Sequence, residues 1–291
     1  MIGSVYPGVP EYPYRDQLPS LDVVGDDRCG SNDYTTVNGT PEQWAVVTVT
    51  SRTQRCRIQG SYFVIQNSSF HHKLQVKGPG PWAVRNSTFT DGPTVGGGAI
   101  NPQSGADVLI EGNDIHDWGP RPMNMDQQGI NLTGTNRMWI LGNNIGYVAG
   151  DSIMGCHRCG GPGPLYIAGN TMNDSWENAM DFKGFVGPVV AVCNTMSGYL
   201  DRATSNGEAV RVNDEGAQGE LWLSKNRYAN NHVDIAPYGS KARGYYLDER
   251  GVQTFNDRRS NTQARASGDD AAPYYALYAE RYGLDLSGPC P

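Results

Sequence analysis

Lysine is scarce in this chain. Only five lysines stand among 23 basic residues, which 30 acidic ones outnumber over 291 positions, leaving a formal charge of −7. A generally basic surface for nucleic acid is therefore absent, and no nucleic-acid partner is expected. No apolar stretch reaches the ~18 residues that a membrane-spanning helix needs, so no membrane partner is expected either. Met1-Ile2-Gly3-Ser4 lacks the apolar core of a secretory leader, and the expectation is a trimmed exported chain or a fragment of a longer one. Charged residues are 18% and hydrophobic ones 38%, which describes an ordered but polar protein. Long amphipathic helices would show more Glu, Lys, Leu and Ala. The 37 glycines and the many asparagines suit turn-rich β architecture instead.

Six cysteines stand at 29, 56, 156, 159, 193 and 290. Six allow fifteen pairings, and one of them joins 29 to 56, 156 to 159 and 193 to 290. A disulfide framework suits an exported protein. The rival is zinc at Cys156-His157-Arg158-Cys159, but no second CxxC or HxxxH completes four ligands.

One short motif ending in Asn recurs along most of the chain. Its copies are Phe63-Val-Ile-Gln-Asn67, Ala83-Val-Arg-Asn86, Val108-Leu-Ile-Glu-Gly-Asn113 and Met138-Trp-Ile-Leu-Gly-Asn143. Leu165-Tyr-Ile-Ala-Gly-Asn170, Val189-Val-Ala-Val-Cys-Asn194 and Leu221-Trp-Leu-Ser-Lys-Asn226 continue it, at intervals of 19, 27, 30, 27, 24 and 32 residues. An apolar residue follows two places after most of these Asn: Ile115, Ile145, Met172, Met196 and Tyr228. A strand, a polar turn and a further apolar residue make one coil of a β-solenoid. The fold class expected is all-β: a single-stranded right-handed parallel β-helix, with the Asn side chains forming an internal ladder. Three matches to a glycosylation sequon begin at Asn38, Asn86 and Asn131; Asn86 belongs to the ladder, so these read as chance.

A second strand family lies between the Asn motifs: Leu74–Lys77, Ile100–Gln103, Ile130–Thr133, Ile153–Cys156, Met180–Lys183, Val210–Asn213 and Val233–Ala236. Period-two alternation sends the first and third residue of each inward. The outward columns then read Gln75, Asn101, Asn131, Met154, Asp181, Arg211, Asp234 and Lys77, Gln103, Thr133, Cys156, Lys183, Asn213, Ala236. Residues 1–42 read as an N-terminal extension or cap, 43–250 as the helix of coils, and 251–291 as a C-terminal cap. Within the last segment, residues 271–282 suit a short helix packed on the last coil. The longest turns, 117–128, 155–164 and 198–207, are the expected walls of a cleft.

The outward columns gather charge in the middle coils. Asp181, Lys183 and Arg211 share one face, Asn213 and Asp234 flank it, and Asp151, Glu177, Asn178 and Glu208 stand at the strand entrances. A solvated face of surface ion pairs, such as Asp181 with Arg211, is the plain alternative, contributing about 0–1 kcal/mol per pair. The Asn-containing coils, followed by Glu177-Asn-Ala-Met-Asp-Phe-Lys-Gly184, resemble the pectate-lyase-like superfamily of right-handed β-helix proteins over residues 60–250. The resemblance implies an enzyme acting on acidic glycans from one outer sheet. Its lyase members related to chondroitinase B and alginate lyases use a Lys and an Arg on neighbouring coils, often with calcium; Lys183 and Arg211 are the matching positions here.

That chemistry assigns roles. A cation or metal neutralises the uronate carboxylate so that the adjacent carbon can lose its proton. Calcium is the cofactor implied, with Asp151, Glu177, Asp181 and Glu208 as its candidate ligands. Lys183 is the base, His157 a second candidate, and Arg211 binds the carboxylate or assists the leaving oxygen. Asn131, Asn213, Asp234 and Arg121, with the turn residues Trp118 and Trp176, are candidates for holding a polysaccharide. Trp139 and Trp222 sit inside repeat strands and read as packing. The alternatives are a glycoside hydrolase using a pair among Asp181, Glu208 and Asp234, and a non-catalytic glycan-binding solenoid.

Overall fold

The computed structural model describes residues 6–93, 96–119, 127–155, 163–183, 185–202, 207–212, 219–237, 244–248, 265–266 and 272–291. Within them the chain winds into a right-handed parallel β-solenoid of three sheets with nine, ten and seven strands. The coils between the two ends each give one strand to each sheet, as in Leu74–Lys77, Trp82–Arg85 and Thr88–Phe89. The strands pair in parallel with the equivalent strands one coil away. No described helix is long and apolar enough to cross a membrane.

The interior follows the expected stacking. In the nine-stranded sheet, Leu74, Ile100, Ile130, Ile153, Met180 and Val210 pair in series and are fully buried. In the seven-stranded sheet, Phe70 and Phe89 stack with ring centroids 4.8 Å apart, and Ile115, Ile145, Met172, Met196 and Tyr228 continue the row. Burying each such side chain contributes about 1.5–3 kcal/mol.

The polar ladder runs beside this core, shifted by one residue in its first two steps. Asn113, Asn143, Asn170 and Asn194 each donate through Nδ2 to Oδ1 of the next Asn, at 2.9 Å in all four links, ending on Asn226. Below Asn113, however, the rungs are Ser87 and Ser68, not Asn86 and Asn67. Asn67 and Asn86 sit one place earlier, at φ of 52° and 47°, the turn position that Gly112, Gly142 and Gly169 take in later coils. Asn tolerates this left-handed conformation better than most residues. Asn86 is consequently exposed, not internal as the Asn alignment implied.

The two chain ends cover the outer flank of the ten-stranded sheet and also meet its end strands: Asp26 bridges Val47 in the first strand, and Arg265–Ala266 pairs with Gly244–Asp248 at the other end. Val64, Ala83, Leu109, Trp139, Tyr166, Val190 and Trp222 form one row on the outer side of the ten-stranded sheet, packed with Tyr6, Val9, Tyr12, Tyr278 and Leu286. Both faces of this sheet are thus buried, which is why its strands read as continuous apolar runs. Tyr12 donates to the Asp107 carbonyl at 3.0 Å, Trp139 to the Pro10 carbonyl at 2.8 Å, and Arg15 pairs with Glu111 at 2.5 Å. The helix Ala272–Tyr282 lies close to the expected 271–282. It packs through Tyr278 and Tyr282 on Trp222 and joins the N-terminal segment where Tyr278 donates to the Gly8 carbonyl at 2.6 Å. Disulfides Cys29–Cys56 and Cys193–Cys290 agree with two of the expected pairs; Cys156 and Cys159 lie outside the described residues. The first strand of the nine-stranded sheet, Thr35–Asn38, falls inside the segment 1–42 read as an extension, so the coils begin earlier.

Candidate functional site

The strand Met180–Phe182 buries Met180 and Phe182 in the coil interior, so Asp181 projects from the opposite face. Its neighbours across the sheet are Met154 on one side and Arg211 on the other. Lys183, two residues on, brings Nζ to 3.1 Å from Asp181 Oδ2 and 3.6 Å from Met154 Sδ. The ion pair expected between Asp181 and Arg211 is therefore made by Lys183, while Arg211 adds its field from the next coil.

Asp151 occupies the turn before Ile153–Gly155 and has no exposed surface. Its Oδ1 accepts from the backbone N–H of Asn178 at 3.1 Å and from Asn178 Nδ2 at 2.7 Å, while its Oδ2 is buried without a hydrogen-bond partner. Burial pushes its carboxyl well above the usual range; negative Asp181 and Glu177 push the same way, against Lys183 and the Asn178 bond. Asp181 is raised too, first by burial and also by Glu208, with Lys183 and Arg211 opposing. These shared fields join all six expected groups, Asp151, Glu177, Asp181, Lys183, Glu208 and Arg211, into one cluster.

The cluster is not the solvated wall that the alternation suggested. Asp151 and Glu208 have 0% and Asp181 1% of their surface exposed, whereas Lys183 and Arg211 are half-buried. On the strands themselves, the groups of the cluster that meet solvent are its cations. Glu177, also half-buried, stands in the preceding turn.

The other expected residues divide. Asn131 is half-buried opposite Met154, in the same row as Asp181. Asp234 lies in the coil after Arg211 but not in its row: Arg211 faces Ala236, a slip of two residues, and Asp234 instead accepts from Asn231 Nδ2 at 3.1 Å. Trp118 is no ligand platform, because it is 1% exposed and belongs to the interior core. Trp139 and Trp222 are buried as expected. Trp176 is half-buried and carries the Arg202 guanidinium 4.7 Å above its ring. Arg202, held by Asp174 at 3.0 Å, has no counterpart in the repeat, and nothing in the sequence pointed to it. His157, Arg121 and Asn213 lie outside the described residues, as do 120–126, 156–162 and 203–206 of the three long turns.

Compared with known protein families, curated proteins and solved structures, this chain matches none. The cluster must therefore be read from its own chemistry. Among the described residues no three His, Cys, Asp or Glu side chains are gathered to hold a metal ion. Asp151 spends one oxygen on Asn178 and Asp181 spends one on Lys183, while the other oxygen of each is buried without a hydrogen-bond partner.

Proposed function

We propose that this chain is an exported carbohydrate-active enzyme that cleaves a uronic-acid-containing polysaccharide by β-elimination. The observation that carries the reading is the pair of solvent-reaching cations, Lys183 and Arg211, on neighbouring coils around the buried carboxyl of Asp181. Such a wall attracts a polyanion, and the solenoid offers an extended face along which a polymer can lie. Two disulfides suit an oxidising compartment.

The steps follow from these groups. Arg211 binds the uronate carboxylate and neutralises it, which makes the C5 hydrogen acidic. Lys183, positioned by Asp181 at 3.1 Å, acts as the base through the unprotonated fraction of its amine. That amine removes the C5 proton. The C5–H electron pair becomes the C4–C5 double bond as the C4–O bond breaks, and the departing oxygen takes a proton from Lys183 or from water. Asp151 and Asn178 hold the turn behind this pair. Calcium enters no step, since the described carboxyls do not assemble a site for it. Hydrolysis would need two carboxyls at the scissile bond; of the three expected, Asp181 and Glu208 are enclosed and Asp234 alone is half-buried.

An absorbance screen over alginate, pectate, glucuronan and glycosaminoglycans tests the reading. An unsaturated uronate absorbs in the far ultraviolet and marks elimination, whereas reducing ends without absorbance mark hydrolysis. Lys183→Ala and Arg211→Ala should each lower kcat at least 100-fold; full activity in both would sink the assignment. Running the screen with a chelator, then with calcium restored, assigns the carboxyls. An unchanged rate leaves them to Lys183 and Arg211, and a calcium-dependent rate would give them to a metal.

A further inference from the structure

A second collection of positive charge lies at the amino-terminal end of the solenoid, where the net-negative composition gives no hint of it. Ser31, Asn32, Thr53, Gln54, Arg55 and His72 line a cleft of about 520 Å³, a volume that suits a small molecule. All six carry a hydrogen-bond donor, and none is a carboxylate. Arg55 lines this space, and its Nε is buried without a hydrogen-bond partner. The His72 Nδ1 accepts from the Lys73 backbone N–H at 2.8 Å, so the proton of the neutral ring sits on Nε2, where it is a donor. The charges acting on His72 come from Arg55 and Lys73, and those acting on Lys73 come from Arg55 and Arg57, all positive. The carboxylate of Asp91 is taken up by His71, at 3.4 Å.

The walls are held in place before any ligand arrives. The disulfide Cys29–Cys56 ties the loop carrying Ser31 and Asn32 to the strand that follows Arg55. Gly30 and Arg57 exchange two backbone hydrogen bonds, at 2.8 and 3.3 Å. Arg52 donates to Ser31 Oγ at 2.6 Å, and Ser31 in turn donates to Gln54 at 3.0 Å. A cleft whose six lining residues all offer donors and include no carboxylate suits an oxyanion.

We infer that this cleft, between the Ser31–Asn32 loop and the Thr53–Arg55 and His72 turns, binds an oxyanion, either free or carried on a sugar. It is five strands along the nine-stranded sheet from Asp181, about 24 Å at the usual strand spacing. The inference does not depend on the elimination chemistry. Calorimetric titration of the whole chain, at ionic strength matched with sodium chloride, uses inorganic sulfate in one arm and a uronate trisaccharide in the other. Saturable binding of either probe is expected, weakened at least tenfold by Arg55→Gln. Thr53→Glu, at an exposed rim position, adds a carboxylate without touching the core and should weaken it likewise, while Arg211→Ala should leave it unchanged. Sulfate binding alone identifies a free-anion site; trisaccharide binding alone identifies an anionic sugar subsite. No saturable heat with either probe, or wild-type affinity in Thr53→Glu, overturns the inference.

Discussion

Replacing Asn170 by Ala tests what keeps the coils in register. Asn170 Oδ1 accepts from the backbone N–H and the Nδ2 of Asn143, and its Nδ2 donates to the Ile140 carbonyl and to Asn194 Oδ1, each at 2.9 Å. Truncation deletes these four bonds and a longer one, at 3.3 Å, from Asn170 Nδ2 to the Ala168 carbonyl. Asn143 Nδ2 retains the Ile110 carbonyl at 3.1 Å, and Asn194 Oδ1 retains the Asn170 backbone N–H at 3.0 Å. The Asn143 N–H loses its partner in a dry interior, while the Ile140 carbonyl keeps its place in the strand ladder opposite Ile167. A buried group so stranded costs about 1–3 kcal/mol, which puts the variant at least that far below the parent. A whole domain is stable by only about 5–15 kcal/mol, so the loss should be large and easily measured. Asn86→Gly is the control. Its residue is an exposed turn position at φ 47°, where glycine is unstrained, and the expected change is within about 0.5 kcal/mol. Urea unfolding followed by far-ultraviolet circular dichroism measures both, with the slope checked because coils can unfold in sequence. The ladder account fails if Asn170→Ala stays within about 1 kcal/mol of the parent, or if Asn86→Gly is equally damaging.

Two further outcomes follow from the site. A carboxyl whose affinity for protons is raised by folding stabilises the native state fully below its unfolded pKa and loses that contribution as pH rises towards the folded value. Asp151 is such a group; Asp151→Asn, whose Oδ1 can still accept from Asn178, should be more stable than the parent at pH 7, with the gain vanishing in acid, as denaturant titrations at both pH values would register. If the variant is destabilised equally at both, the buried carboxyl is not under strain. Trp118→Ala should lower stability by about 3–5 kcal/mol, as expected of a buried aromatic, and leave glycan affinity unchanged. A selective loss of glycan affinity would return Trp118 to the binding face.

Much of the fold was legible because a solenoid repeats a local rule. The apolar row Ile100, Ile130, Ile153, Met180 follows from period-two alternation, and that row brought Asp181, Lys183 and Arg211 to one face. The errors have equally local causes. Asn67 and Asn86 match the ladder residue in type but sit in the preceding turn, because Asn serves both as a ladder amide and as a left-handed turn residue. Asp234 was displaced by a slip of two, which leaves every side chain on its expected face and so leaves no mark in the pattern. Trp118 stands in a turn, yet its side chain packs into the core.

The amino-acid sequence by itself determined the solenoid and the membership of the central cluster, because each rests on repetition or on residue type, whereas it left fifteen cysteine pairings open. Only the tertiary structure decided which of those charges meet water. Burial depends on what packs above a strand: the chain ends lie over Trp139 and Trp222, and Asp151 and Glu208 are closed off while Lys183 and Arg211 reach solvent. Only it brought Arg55 and His72 together around a cleft, since 17 residues of chain separate them and no repeat announces the loop that closes it.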